Sequence, residues 1–417
     1  MLKEIFLQSW DALRRNPTRS MLTMLGIVWG IAAVTLLMAY GAGFREILSG
    51  AFYAFGRSAV VGWPGQTSLQ AGGERAGKRV RLEKEDLEFI KQDATLVKAA
   101  CLESVRRLPM SYAERTSVIL VRGVCPEYGE IRNEVPSEGR WLTPEDEQER
   151  RRVIFLGGRV REQLFGGRPA VDETVQIAGV RFTVVGTMER KLQMSNYFSS
   201  DDNSTWIPYS AAGDLWNTRY ADVIVFSAFA PVFEKKAIEQ VRAALAKRQR
   251  FLPGDTRALR CSGREEFRPI IDGITIGIQM LLLFIGMLTL GIGGVGVMNI
   301  MLVSVDERIR EIGLRMALGA RRVHVGLQFL TEALVITLAG GAIGIALSYA
   351  ITAVIPPIPV LGPLFEDTSG KGDMRLAVSA MTVGISTAVL VLVGVLSGWL
   401  PAVRASRLDP CEALRYE

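Results

Sequence analysis

The sequence predicts a membrane protein with four transmembrane helices and a large α+β extracytoplasmic domain, a ferredoxin-like subdomain with a β-rich insertion, on a helical stalk. Three observations predict it. Four stretches, about 20–44, 271–303, 325–355 and 376–402, are long and apolar enough to cross a bilayer core, which takes about 20 helical residues. One large polar block, residues 45–270, separates the first stretch from the second. Arginines gather at residues 14–19, 308–322 and 404–415, which four crossings bring to one side of the membrane, N-in and C-in. The chain is 49% hydrophobic yet 22% charged, as spans plus a polar domain would be. Its mean hydropathy is +0.22.

Residues 1–19 open the chain. Leu2, Ile5, Phe6, Trp10 and Leu13 recur at helical spacing, while Lys3, Arg14, Arg15 and Arg19 take other faces. That pattern predicts an amphipathic helix on the cytoplasmic leaflet. Residues 20–44 carry no charge over 25 positions. This is too long for the apolar part of a signal peptide, so an uncleaved anchor is expected. Arg14-Arg15 precede Asn16-Pro17 and further spans, which argues against a twin-arginine signal.

The polar block carries two βαβ sets at its edges. A strand near 58–62, a helix near 83–92 and a strand near 95–101 form one; 222–228, 232–248 and 256–262 form the other. Two such units predict a ferredoxin-like subdomain. Between them, about 105–215, lie SVILVRGV, RRVIFLGG, VQIAGVRFTVVGTM and TWIPY, strand-like runs separated by Gly, Pro and Asn. Thr143 and Pro144 read as the cap and first position of a helix. Cys101, Cys125 and Cys261 fall in the block and Cys411 in the tail. Three cysteines in an oxidising compartment cannot all pair, so one bridge, such as Cys101–Cys125, or none is expected. A single histidine, His324, leaves little for His-based catalysis or a metal site. The net charge of +6 comes from arginines beside apolar runs, which suits anchoring to membrane lipids and gives no reason to expect nucleic acid.

Residues 273–305 are uncharged for 33 positions. As one helix they would run about 50 Å against a bilayer core of about 30 Å, so the surplus is expected to project outward as the stalk. GIGGVG, 291–296, fits the spacing of a dinucleotide fingerprint, but no strand leads into it. Gly291, Gly293 and Gly294, with Gly340, Gly341 and Gly344 in the third span, read instead as surfaces for close helix packing. GGERAGK, 72–78, resembles the front of a phosphate-binding loop, but Arg79 replaces the magnesium-holding Ser/Thr, so an exposed Gly-rich loop is expected. The third span ends at Pro356-Pro357. An external loop, 356–375, leads to the fourth span and to a tail, 403–417, in which Asp409-Pro410 starts a short helix.

Residues 304–322 lie between the second and third spans, with five arginines against three acids. Ser304 and Glu307 have capping-box spacing, Glu311 and Arg315 are an i,i+4 pair, and Gly319 stands where a left-handed cap would end a helix. Ile309, Ile312 and Met316 make an apolar stripe. Charge alone fits equally a solvated connector that obeys the positive-inside rule.

ERIREIGLRMALGARR, followed by QFLTEALVITLAGGAIG, resembles the signature of MacB/FtsX-type ABC transporter permeases. RWLTPEDEQERRRVIFLGGRVREQLFG and VRFTVVGTMER are similar, more loosely, to the MacB periplasmic domain, and DPCEALR resembles the family's cytoplasmic tail. The resemblance implies a multi-pass permease subunit of a bacterial inner (plasma) membrane, with no enzyme activity or cofactor of its own. It makes 304–322 a cytoplasmic coupling helix whose ATPase-coupling residues are Glu307, Arg308, Arg310, Glu311, Ile312, Arg315, Met316 and Gly319. MacB itself carries a fused nucleotide-binding domain, whereas this sequence starts at the amphipathic helix. A separate cytoplasmic ABC ATPase subunit with ATP and magnesium is therefore expected. Four spans are few for a transport unit, so a homodimer, or a heterodimer with a related permease, is expected. A periplasmic adaptor and an outer-membrane channel are further partners that the family implies. Efflux of a drug, peptide or lipid-like substrate is the expected function. The alternatives are an FtsX-like transmitter of motion to a cell-wall hydrolase and a lipoprotein-extraction permease.

Overall fold

The computed structural model describes residues 17–56, 58–71, 75–193, 196–365, 370 and 372–413. Residues 1–16, where the N-terminal amphipathic helix is expected, 72–74 of the Gly-rich stretch, 366–369 and 371 between the third and fourth spans and 414–417 of the tail lie outside them. The chain divides into a helical unit, within 1–46, 273–359 and 373–417, and an α/β unit, within 47–272 and 360–372.

The chain opens with α1 (Pro17–Tyr53), β1 (Ala59–Pro64), α2 (Lys84–Asp93), β2 (Val97–Tyr112), β3 (Arg115–Val124) and α3 (Tyr128–Arg132). There follow β4 (Pro136–Gly139), α4 (Pro144–Gln148), β5 (Val153–Leu156), α5 (Gly158–Phe165), β6 (Thr174–Ile177) and β7 (Val180–Met188). β8 (Ser204–Pro208), α6 (Tyr209–Ala212), β9 (Val223–Ala228), α7 (Glu234–Gln249) and β10 (Leu259–Ser262) complete the α/β unit's main body. Then come α8 (Arg268–Glu307), α9 (Ile309–Ala317), α10 (Arg322–Val354), the pair β11 (Ile358–Pro359) and β12 (Asp373–Met374) around α11 (Gly362–Phe365), and finally α12 (Ala380–Ser406) and α13 (Pro410–Ala413).

In the α/β unit the strand order β10-β1-β9-β2 is that of a ferredoxin-like sheet, with every neighbour antiparallel. Ile90 of α2 and Ala237, Val241 and Leu245 of α7 pack onto Val60, Ile224 and Phe226 of that sheet. The insertion does not form a second sheet. β2 is 16 residues long. It pairs with β9 through residues 97–103 and with β3 through residues 103–112. The sheet therefore continues through β3, β8, β5 and β7 to β4. The strand expected near 95–101 runs on through Arg106 and Arg107 because both side chains reach solvent while the backbone ladder continues. At α4, Thr143 Oγ1 accepts from the Asp146 N–H and Asp146 Oδ2 from the Thr143 N–H, a reciprocal cap. Cys101 and Cys125 form a disulfide with Cα atoms 5.7 Å apart, while Cys261 and Cys411 are free.

A cluster of ions lies inside this unit. Arg122 Nη1 donates to Glu103 Oε1 at 2.7 Å, and Arg132 Nη2 donates to both Asp201 oxygens at 2.9 Å. Tyr197 donates to the second oxygen of Glu103. Lys191 Nζ reaches Glu134 at 3.0 Å and Asp201 at 3.3 Å. Glu103, Arg122, Arg132 and Asp201 are fully buried. Charges can sit there only because each has an opposite charge and further polar partners. Burial opposes ionisation of Asp201, yet Arg132, Lys191 and Arg122 outweigh it and hold that carboxyl well below the usual range. Burial and the Asp201 charge push Glu134 the other way.

Glu234, at the start of α7, is also buried, and its Oε1 accepts from the Glu265 backbone N–H at 2.9 Å. Burial pushes its carboxyl up to about 7. A carboxyl with a raised folded-state pKa keeps its proton longer in the folded chain than in the unfolded one. Its contribution to stability is complete below the ordinary carboxylate pKa and is lost as pH rises through about 7. Glu234→Gln is therefore expected to flatten the decline in thermal stability between about pH 4.5 and about pH 7, by up to about 3 kcal/mol at about 1.4 kcal/mol per pKa unit. Melting curves of both proteins across that range check it. Parallel declines would remove Glu234 as the cause.

In the helical unit, α1, α8, α10 and α12 are each long and apolar enough to cross a membrane. α1 and α8 extend beyond both ends of the expected spans, α10 starts three residues before its expected span and ends one short of it, and α12 lies four residues further along the chain than expected. α8 has 40 residues, a length of about 60 Å. Ile27 and Ile31 of α1, Leu290 and Val297 of α8, Phe329 and Ala333 of α10, and Leu390 of α12 form the shared core. Glycines permit the close approach. A Cβ on Gly293 would lie 2.9 Å from Gly26 O, and one on Gly294 2.5 Å from Ser397 Oγ. At Gly340, Gly341 and Gly344 it would lie 3.0 Å from Ile27, 2.1 Å from Leu390 and 1.9 Å from Ile31. Gly291 corrects the expectation for this group. Nothing among the described residues comes within 4 Å of a Cβ there, because it lies on a face of α8 that no neighbouring helix covers.

Candidate coupling surface

α8 carries its helix through Ser304 to Glu307, so the capping box expected at Ser304 does not form. Val305, fully buried in the helical core, holds that last turn in register. Arg308 breaks the helix, with φ −111° and ψ 15°, and α9 starts only at Ile309. Its C-terminus closes with two bonds, Gly319 N to Met316 O at 3.1 Å and Ala320 N to Arg315 O at 3.0 Å. Gly319 has φ +99°, a left-handed conformation that a residue with a Cβ adopts at a cost. α10 begins three residues later.

The apolar stripe faces inward. Ile312 is 4% exposed and belongs to the helical core with Val305, Val325 and Ala405, and Met316 packs against the same core. Gly313 lies against Ala413 of α13, where a Cβ would come within 2.6 Å of the alanine's own. Ile312 and Met316 were expected on the outer, partner-facing side; the chain's own core covers that side instead. Arg308 also turns inward, to Glu332 of α10 at 3.3 Å. Arg315 Nη1 donates to Gln328 Oε1 at 2.9 Å rather than pairing with Glu311.

Other residues make the outer side. Leu314 is 54% and Leu318 81% exposed, one helical turn apart and opposite the buried stripe. Glu307, Arg310, Glu311 and Arg315 are exposed around them. On α10, Val323 and Leu327 add exposed apolar area. Asp306 pairs with Arg404 of α12 at 3.1 Å, a further tie on the joint that carries α9. Sequence reasoning missed Leu314 and Leu318. Their i,i+4 spacing was a readable signal, but the stripe at Ile309, Ile312 and Met316 had the stronger one.

Four spanning helices, an α/β domain inserted between the first two, and a short charged helix between the second and third define a polytopic membrane protein of the permease class. Two family models divide this chain: a MacB-like periplasmic core domain matches residues 20–248, and an FtsX-like permease C-terminal domain matches 283–410. The chain belongs to the MacB/FtsX-type ABC transporter permease family. It is an inner-membrane protein with an extracytoplasmic α/β domain. It is 32% identical to the macrolide export ATP-binding/permease protein MacB of Bdellovibrio bacteriovorus, over 98% of this chain and 61% of that protein. It is 31% identical to the MacB of Chlorobaculum tepidum over the same shares of the two chains. The chain thus spans about three fifths of the length of these curated relatives. The crystal structure of the periplasmic region of MacB from Actinobacillus actinomycetemcomitans matches with TM-score 0.41 and 14% identity, over 54% of this chain and 98% of that one.

Proposed function

We propose that this chain is the permease of a MacB-type ABC transporter and that α9 couples it to a cytoplasmic ATPase. ATP and magnesium bind that ATPase, and its closure moves α9 and the spans to drive export of a drug, peptide or lipid-like substrate. Two copies assemble about a two-fold axis, with both termini cytoplasmic, and a periplasmic adaptor and outer-membrane channel continue the path. The observation that carries the reading is the outer side of α9. Leu314 and Leu318 are large exposed apolar residues in a charged rim, on a helix whose inner side is seated in its own core. A short helix of this form docks by its apolar anchors into a partner groove, while the rim charges set orientation. The curated relatives are named as export ATP-binding/permease proteins, which fits an ATPase on the other side of that contact.

Leu318→Asp is expected to leave membrane insertion intact and to abolish ATPase binding, because an unpaired carboxylate in an apolar groove costs several kcal/mol. Glu311→Lys changes a solvated rim charge and is expected to cost only about 0–1 kcal/mol. Co-purification of the ATPase and permease-stimulated ATP hydrolysis measure both. If Leu318→Asp binds and stimulates like the unmodified chain, α9 is a connector and the coupling reading falls.

A further inference from the structure

Glu332 is the one formal charge between Val323 and Phe365. It lies ten residues into α10, about 15 Å along the helix from Arg322. A carboxylate within a spanning helix is costly and is kept where it meets a partner inside the protein. Glu332 is 4% exposed. Its partner is Arg308, whose Nη1 lies 3.3 Å from Oε2 and 3.5 Å from Oε1.

Arg308 is the joint itself. Its backbone leaves the helical region between α8 and α9, its N–H donates to Val305 O at 3.1 Å, and its carbonyl accepts from Ile312 N at 3.0 Å. The residue that breaks the backbone is thus the residue that makes the ion pair. The bond from Arg315 to Gln328 adds a second tie. Gln328 and Glu332 are four apart on α10 and share one face. Arg308 and Arg315 are seven apart, at the start and near the end of α9. One face of α10 therefore holds α9 at both ends.

We propose that Glu332 is a positioning residue: its ion pair with Arg308 sets the angle at which α9 leaves α8 and so aims Leu314 and Leu318. The inference rests on the coupling reading of α9. Under it, a displacement of α9 is delivered to α10 as well as to α8, because the pair prevents the joint from flexing. Glutamine at 332 keeps the shape and loses the charge, so of the two side-chain ties from α10 to α9 only Arg315–Gln328 remains, beside the packing of Ile312 and Gly313.

The test uses the full chain in lipid nanodiscs, with Cys261 and Cys411 replaced by serine and a nitroxide on cysteine at position 318. Glu332→Gln is expected to raise the mobile fraction of the label at least about two-fold relative to Glu332. Arg308→Gln, which removes the less buried partner, is expected to do the same should Glu332→Gln fail to fold. The exchanged pair, Arg308→Glu with Glu332→Arg, is expected to restore the immobile signal, which a merely structural role for Glu332 would not produce. An unchanged spectrum in the single variants overturns the proposal, and so does a double variant as mobile as the singles. Neither outcome depends on the ATPase. A failure of the coupling reading is recognised separately, by Leu318→Asp remaining coupled.

Discussion

Gly344→Leu is expected to abolish accumulation of the protein in the membrane. A Cβ at that position would lie 1.9 Å from Ile31 Cγ2 and 2.7 Å from the carbonyl oxygen of Val28. A side chain can rotate away, but the Val28 carbonyl belongs to the backbone of α1 and can yield only if the two helices part. Spanning helices associate through such close packing, since lipid supplies no hydrophobic drive to hold them together. Overpacking a close contact costs about 1–3 kcal/mol when neighbours can adjust, and more when backbone must move. Gly291→Leu is the control, because that site is open and the same change of residue is expected to be tolerated there. Immunoblots of the membrane fraction read both. Equal, undiminished levels would mean that the helices do not pack as described.

Asp201→Ala is expected to be the most damaging single change in the extracytoplasmic domain. Asp201 is fully buried and neutralises Arg132 at 2.9 Å and Lys191 at 3.3 Å. Removing it leaves two cations inside the protein with too little negative charge, a loss of about 3–5 kcal/mol. For a domain of this size that corresponds to a fall in Tm of roughly 10 °C. Glu149→Ala removes the acid of an exposed pair with Arg151 and is expected to cost no more than about 1 kcal/mol. Thermal unfolding of the purified protein compares the two. A Tm for Asp201→Ala within a degree or two of the control would show that the buried cations find other partners.

The architecture was largely legible in the sequence because it rests on signals that survive without tertiary information. Uncharged runs such as 20–44 and 273–305 have few structural solutions other than a span, and paired βαβ sets at the edges of a polar block suggest the ferredoxin-like order. What was not legible depended on contacts between residues far apart in sequence. Nothing local to Ile312 says that Ala413 and its helix lie beside α9, so an inward stripe and an outward one read alike. Glu103, Arg122, Arg132 and Asp201 are spread over a hundred residues and look like ordinary surface charges. Their burial follows from how the sheet and its loops close. Arg106 and Arg107 hid the length of β2 for a related reason, since two adjacent charges resemble the end of a strand until the neighbouring strand is known. Glu332 was different. A single acid in a long apolar run is a readable signal that the sequence reading passed over, and its partner is apparent only in the structure.

The continuity of β2 has a consequence for anyone who would trim the extracytoplasmic domain. The ferredoxin-like half has the look of a module that could be cut out by closing the chain across the insertion. A cut placed after Tyr112, so that all of β2 is kept, would remove β3 and strip the ladder from residues 103–112. A long strand with hydrophobic residues would then stand as an open edge, ready to pair with the same edge of another molecule. Aggregation, rather than a smaller working domain, is the expected product. The two halves share one strand, and neither has a boundary at which it can be separated from the other.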